Sequence, residues 1–374
     1  MNNQLAEELL SKVMRWQPTD FNQIGLELQA MASYKYDEYQ QFSPGMRFTE
    51  SLASWLSQFA PGERVEALDY IRKYLVFIST AEMNHLVSIA YLDCIRPLLL
   101  DLAAAKAGID RWKKKRIAAS QAFRILQRKT LFLGLSDGAR TDVFRRANPQ
   151  LSNEQVRLSH ELSQERIDGL LKDLKTALKD MGESDTAAEL AEQANPAFEV
   201  VVLMDDFSAS GISYLRSTED GAVTGKIGKF LVNLSDPKNS LSRLVVKDGR
   251  EVILVLYLAT AQAEEKLEAE REALEKRFGL KISIVIVQRL PNEITLTAGT
   301  KPVIDALIQK YYDDTNETAS TRLGGTDLRY GFAACGLPLV LSHNTPNNSI
   351  GLLWADGPQM RSLFPRVTRH KDSI

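Results

Sequence analysis

The run Phe198-Glu199-Val200-Val201-Val202-Leu203-Met204, set between Asn195-Pro196 and Asp205-Asp206, constrains this chain more than any other segment. Its nearly continuous apolarity over strand length suits a strand buried on both faces, as in a parallel sheet. Two further strands are expected over Glu251 to Ala259 and Lys281 to Gln288, separated by the charged helical stretch Gln262 to Arg271, which ends at Gly279. Strand, helix, strand is a βαβ unit, and the alternating charges of its helix read as a solvated face. Lys129 to Leu135 is a first β-prone run ending in the turn Ser136-Asp137-Gly138, and Leu337 to Leu341 is a last one. Helix is expected over residues 150–194, with Ser152 as a cap and Ile167, Leu170, Leu171, Leu174 and Leu178 as its apolar stripe, and again over Val303 to Tyr311. Thr218 to Arg250 reads as a hairpin or flap.

Before residue 126 the spacing is helical, as in Phe48, Leu52, Trp55, Leu56 and Phe59, with breaks at Ser43-Pro44-Gly45 and Ala60-Pro61-Gly62. Leu86 to Leu102 reads as buried helix kinked at Pro97, which makes Cys94 a packing residue. The expected organisation is therefore an all-helical domain over residues 1–125 and an α/β domain with a parallel sheet over 126–374. A length of 374 residues accommodates both.

Composition bounds the partners. Lys plus Arg (46) nearly balances Asp plus Glu (48), so no global field draws the chain to nucleic acid or an anionic membrane. A local patch does exist: Arg111, Trp112, Lys113, Lys114, Lys115 and Arg116, continued by Arg124, Arg128 and Lys129, reads either as a solvated junction between domains or as a face for nucleic-acid phosphates or a partner protein, with Trp112 for stacking. Cys94 and Cys335 make no disulfide framework, no Cys/His cluster has zinc spacing, and neither a secretory h-region nor a membrane-length apolar run occurs. A cytoplasmic protein without a metal held by a side-chain cluster is expected.

In open α/β sheets ligands bind at the carboxyl ends of strands. There Asp205 and Asp206 have the chemistry to accept the vicinal hydroxyls of a ribose. Ser208, Ala209, Ser210, Gly211 and Ser213 are small enough for backbone amides to close around a phosphate, with Gly211 free to adopt positive φ. His343, beyond the last strand, has the side chain best suited to proton transfer near neutrality, or to a structural bond with a turn carbonyl. His85 on an apolar helix is expected in the core, His160 on a helix surface and His370 in a tail. Arg322-Leu323-Gly324-Gly325-Thr326 is a loop whose composition needs no ligand to explain it.

Over Val201 to Ser213 the chain resembles the phosphoribosyltransferase family, in which an apolar strand leads into two acids, a short spacer and a Ser/Thr- and Gly-rich loop. Phe207 and Ser208 depart from it, standing where the family has aliphatic residues. The resemblance implies that Asp205 and Asp206 hold the ribose hydroxyls of phosphoribosyl pyrophosphate and that the following loop holds its 5-phosphate. It also implies that Ser136, Asp137, Gly138 and Arg140 form the diphosphate loop, and that Mg2+ accompanies the diphosphate. A response-regulator receiver also begins with such a strand and acid pair, and Lys301-Pro302 imitates its Lys-Pro. However, Glu251 to Ala259 ends without the phosphoacceptor acid, and about seventy residues follow Lys301-Pro302.

The element Ser342-His343-Asn344-Thr345-Pro346-Asn347-Asn348, followed by Trp354, is similar to one in phosphoribosyltransferase-like proteins of bacterial conflict systems. That resemblance covers roughly residues 126–360 and implies a toxic, transferase-like effector of anti-phage defence, including retrons, held in check by partners such as a reverse transcriptase complex. The expected function is binding of phosphoribosyl pyrophosphate or a nucleotide and modification of a nucleotide, nucleobase or nucleic acid. The alternative is a non-catalytic nucleotide sensor or structural subunit that binds nucleic acid or a partner protein.

Overall fold

The computed structural model describes residues 3–181, 196–217, 222–318, 321–325, 328–357 and 360–366. The described strands are β1 (Val76–Ile78), β2 (Thr130–Gly134), β3 (Val156–Arg157), β4 (Val200–Ser208), β5 (Arg216–Ser217), β6 (Val223–Thr224), β7 (Glu251–Ala259), β8 (Lys281–Arg289) and β9 (Leu339–Leu341). Contacts group the chain into two compact units, Met83–Leu290 and a discontinuous one made of Met1–Glu82 with Pro291–Ile374. This division falls elsewhere than the expected boundary at residue 125. The reasons are visible in each unit's packing.

In Met83–Leu290 five parallel strands run in the order β3-β2-β4-β7-β8, and the architecture is α/β. Central β4 carries the constraining run: Val200 to Met204 are all buried, as a strand covered on both faces requires. On one face Leu131, Leu133, Val201, Leu203 and Leu254 pack with Ile167, Leu170 and Leu174 from helix Gln164–Asp180, with Phe230 and Leu231 from helix Gly225–Ser235, and with Leu267 from helix Ala261–Phe278. On the other face Phe132 meets the rings of Phe144 and Tyr91 at 5.2 and 6.0 Å. Tyr91 lies in the stretch expected to be part of a separate helical domain. Its ring packs on the sheet instead, so the helices from Met83 onward belong with the strands.

In the discontinuous unit β1 pairs in parallel with β9, which interrupts the helical first third and ties it to the carboxyl-terminal stretch. Helix Phe48–Ser57 buries Phe48, Leu52, Trp55 and Leu56. Trp55 Nε1 donates to Leu352 O at 2.8 Å and Ser51 Oγ to Leu363 O at 2.6 Å. Phe364 inserts among the rings of Tyr36, Tyr39, Phe48 and Phe77. An aromatic cluster drawn from both ends of the chain cannot be split at residue 125.

Several local readings also shift. The helix expected over residues 150–194 occupies Gln164–Asp180, capped by Ser163, while Ser152 caps only the short turn Asn153–Gln155; residues 182–194 lie outside the described ones. The Thr218 to Arg250 stretch holds the small antiparallel pair β5-β6 and then helix Gly225–Ser235, residues 218–221 being outside the description. Ahead of Pro97 the helix widens into a π turn over Ala90–Ile95, which accommodates the ring without a broken backbone, and Cys94 there is half-buried rather than in the core. His85 is exposed, and His160 follows β3 in a loop. His370, Asn195 and Thr326 lie outside the described residues.

Leu203 is fully buried on the strand that both faces of the core share. Leu203→Ala is expected to lower unfolding stability by about 2–5 kcal/mol, read from urea unfolding of the whole chain.

Candidate functional site

The strand order creates the site. From β2 the chain steps outward to β3, whereas from β4 it moves the other way to β7, so a crevice opens between β2 and β4 at their carboxyl ends. Register sharpens it. β2 stops at Gly134, opposite Met204, while β4 runs on beside β7 until Ser208 pairs with Ala259. Asp205 and Asp206 thus lie within the strand, beyond the end of β2 and beside the turn Leu135–Arg140.

Successive strand residues point to opposite faces, so the two carboxylates part company. Asp205 lies on the side of Leu203 and is fully buried, and Asp206 is half-buried on the side of Tyr257. Asp205 Oδ1 accepts the Ser136 hydroxyl and the Asp206 amide. Its Oδ2 accepts Lys226 Nζ at 2.6 Å and lies 2.7 Å from the Tyr214 hydroxyl, which is also 2.8 Å from Phe207 O. Burial, and then the charge of Asp206, push the Asp205 carboxyl above its ordinary 3.8; Lys226 and Ser136 pull it back. The Tyr214 phenol is pushed well up by burial and by both acids.

The turn after β2 is pinned to the same place. Tyr257, buried on β7, donates its hydroxyl to Ala139 O at 2.8 Å, and burial together with the two acids raises its pKa while Arg140 opposes them. Gly138 lies flat against Asp206, where a Cβ would collide with both carboxylate oxygens. Asp137 is exposed. Arg140 adopts φ +45° ahead of helix Thr141–Ala147 and extends Nη1 to 3.4 Å from Asn84 Oδ1. Four residues expected on a diphosphate loop, Ser136, Asp137, Gly138 and Arg140, therefore share one turn next to the acids.

The turn after β4 is less open than its composition suggests. Ser208, Ala209, Ser210 and Gly211 are buried, and the chain comes to the surface through half-buried Ile212 at exposed Ser213. Thr260, which caps helix Ala261–Phe278, donates its hydroxyl to Ala209 O at 2.5 Å. Gly211 has φ +72°, the conformation expected of it, and sits against Ala263 O and the Lys266 stem. Lys226 N and Ile227 N, at the start of helix Gly225–Ser235, donate to Ser213 O and Tyr214 O.

His343 stands in the other compact unit, where its carbonyl accepts Gln41 Nε2 at 2.8 Å. The element around it is a buried bonding network: the Thr345 and Tyr39 hydroxyls are 2.8 Å apart, Asn348 Nδ2 donates to Phe332 O, and Trp354 Nε1 donates to Ser349 O. The basic patch is smaller than expected. Arg111, Lys113, Lys115 and Arg116 are exposed, Arg111 lies 4.8 Å over the exposed Trp112 ring, and Lys114 pairs with Asp101. Arg128 and Lys129 are instead buried, Arg128 reaching out to the exposed Glu154 and Lys129 paired with Glu199, because an interior cation needs a counter-charge.

Sequence reasoning missed Tyr214, Lys226 and Tyr257. Only Tyr257 left a signal, as the one hydroxyl in an apolar strand, since a buried Tyr hydroxyl seeks a partner. Among the described residues no three His, Cys, Asp or Glu side chains gather as ligands for a metal ion, and no helix is long and apolar enough to cross a membrane.

The raised Asp205 carboxyl fixes the sign of a pH effect. Between 3.8 and the raised value the folded chain binds more protons than the unfolded one, so stability through this group is greatest below that window and declines as pH rises across it. Asp205→Asn is expected to flatten the decline in urea midpoints from about pH 4 upward, and an unchanged slope would count against this assignment.

A search of curated proteins returns no match, and neither does a search of solved structures. The family described as PRTase-CE matches residues 52–366, which include the whole parallel sheet and both crevice turns. With the acid-bearing strand at the switch point of that sheet, the chain belongs to the PRTase-CE family and is phosphoribosyltransferase-like.

Proposed function

We propose that the chain is a phosphoribosyltransferase-like effector of bacterial anti-phage defence, working in the cytoplasm, that binds phosphoribosyl pyrophosphate or a related nucleotide in the crevice between β2 and β4. The observation carrying this reading is the meeting, at one switch point, of a strand-end acid pair with the Gly138 turn in a chain of this family. Acid on the strand accepts ribose hydroxyls, the Ile212–Ser213 edge of the next turn offers amides to the 5-phosphate, and Arg140 with the Ser136–Gly138 backbone faces the diphosphate. Departure of diphosphate leaves positive charge at the anomeric carbon. Carboxylates held on one side and a cation on the leaving-group side stabilise that separation. Magnesium enters on the diphosphate as part of the substrate, since in such sites phosphate oxygens and water supply most of its ligands. The product is a modified nucleotide, nucleobase or nucleic acid.

A second reading keeps the ligand and drops the chemistry. It is favoured by the burial of Ser208 to Gly211 and by the one cation, two hydroxyls and one amide of the chain itself that already meet Asp205, which suits a sensor that changes state on binding. In that reading the exposed Arg111 to Arg116 stretch contacts nucleic acid or a partner of the defence complex, such as a reverse transcriptase.

Calorimetric titration with phosphoribosyl pyrophosphate and magnesium tests the shared site. The doubly substituted Asp205→Asn, Asp206→Asn chain is expected to lose the binding heat and, in cells, both toxicity and protection against phage; unaltered heat would refute the site. Product release from the labelled ligand separates effector from sensor. For the patch, Lys113→Glu with Lys115→Glu and Arg116→Glu is expected to abolish salt-sensitive nucleic-acid retention while leaving that heat unchanged. Retention by the altered chain equal to the original would remove the patch from the proposal.

A further inference from the structure

The acid pair invites a symmetric role, one carboxylate for each ribose hydroxyl. Its geometry argues otherwise. Asp205 has no exposed surface, and four donors, three of them from beyond β4, meet its two oxygens: Ser136 after β2, the Asp206 amide on β4, Tyr214 from the turn after β4, whose one proton is shared with Phe207 O, and Lys226 from helix Gly225–Ser235. A carboxylate has about four lone-pair sites, so its own chain leaves this one little capacity for a ligand. Asp206 points to the opposite face, half-buried, where its Oδ1 accepts the Phe207 amide at 2.8 Å and its carboxylate lies against the glycine of the Ser136–Arg140 turn.

Resting on the phosphoribosyl reading above, we propose that the pair is divided in labour: Asp206 contacts the ligand, and Asp205 with Lys226 is a positioning pair that holds the turns on either side of it. Ser136 fastens the diphosphate-side turn to Asp205, and Tyr214 with Lys226 fastens the phosphate-side turn to the same group. Gly225, at φ +90°, lets the helix start against the Tyr214 carbonyl, where a Cβ would overlap backbone atoms, and this delivers Lys226 to the buried acid. Lys226 also lies 5.1 Å from the Tyr214 ring centre, so ammonium, phenol and carboxylate form one cluster. Removing the ammonium leaves a buried carboxylate short of its counter-charge, next to a second acid. The positions of both turns, and so the affinity of Asp206 for a sugar, depend on that balance.

The test uses the full chain, phosphoribosyl pyrophosphate with magnesium as titrant, and thermal unfolding in parallel. Asp206→Asn is expected to weaken binding at least thirtyfold with an unchanged midpoint. Lys226→Met is expected to weaken it three- to tenfold when measured well below the midpoint, and Lys226→Arg to restore it. Joining Asp205→Asn to Lys226→Met is expected to recover part of the midpoint lost in Lys226→Met alone, since neither charge is then left unpaired. A purely structural pair would lower the midpoint and leave affinity at low temperature untouched, which would overturn the positioning role. Asp205→Asn matching Asp206→Asn in lost affinity, with no loss of midpoint, would overturn the division by making Asp205 a ligand contact. Heat absent from the unaltered chain would overturn the phosphoribosyl reading itself, and this proposal with it.

Discussion

Order at the crevice depends on one buried carboxylate. Taking an ion such as Asp205 out of water costs several kcal/mol, and the cost is offset only where charge and hydrogen bonds replace the lost hydration. Here the replacement comes from three separate segments, so the burial of one side chain obliges residues 136, 214 and 226 to converge. Two of these segments, the turns, have little structural preference of their own. The turn after β2 contains Gly138, and the turn after β4 contains Gly211 at positive φ. The acid supplies the common point that such pliant stretches lack.

That arrangement is possible because β4 outruns its neighbour. Had β2 extended as far as Ser208, the Asp205 edge of β4 would be covered by another strand, and no turn could reach the carboxylates. The switch in strand order produces the gap, and the parallel register between β4 and β7 keeps the acids on rigid backbone rather than in a loop. Tyr257 on β7 then holds the Ala139 carbonyl from the Asp206 face. The two faces of β4 are thus used differently, one to organise and one to present.

Much of the sheet was legible because its strands are long and apolar: the expected runs at 251–259 and 281–288 differ from β7 and β8 by no more than a residue. Burial of β7 on both faces leaves a continuous signal, and the edge strand β8, half-buried along its middle, still keeps a β-branched run. What stayed hidden was short or non-local. β3 has two residues and sits inside a stretch with helical spacing, and β1 finds its partner β9 more than 250 residues away. Helix Gly225–Ser235 carries two glycines in its first turn, which mutes its propensity although Ile227, Phe230, Leu231 and Leu234 fall at core spacing. At the site the acid pair, the Gly138 turn and Gly211 could be read as local patterns. Tyr214 and Lys226 could not, because what defines them is a distance across space to Asp205.

The near balance of acids and bases also acquires a structural meaning. Lys129 and Arg128 are not surface charges at all, since Lys129 is buried beside Glu199 and Arg128 beside Glu154. Lys226 belongs to Asp205. Charges neutralised inside the fold contribute little field at a distance, so the potential met by an approaching polyanion is set by the exposed remainder. Around the Met83–Leu290 unit's basic stretch that remainder includes Arg111, Lys113, Lys115, Arg116 and Arg124, with no acid among residues 111–125. Overall neutrality and a locally cationic face are therefore compatible: pairing in the interior removes some of the bases from the field, and their spacing along the chain leaves the others together.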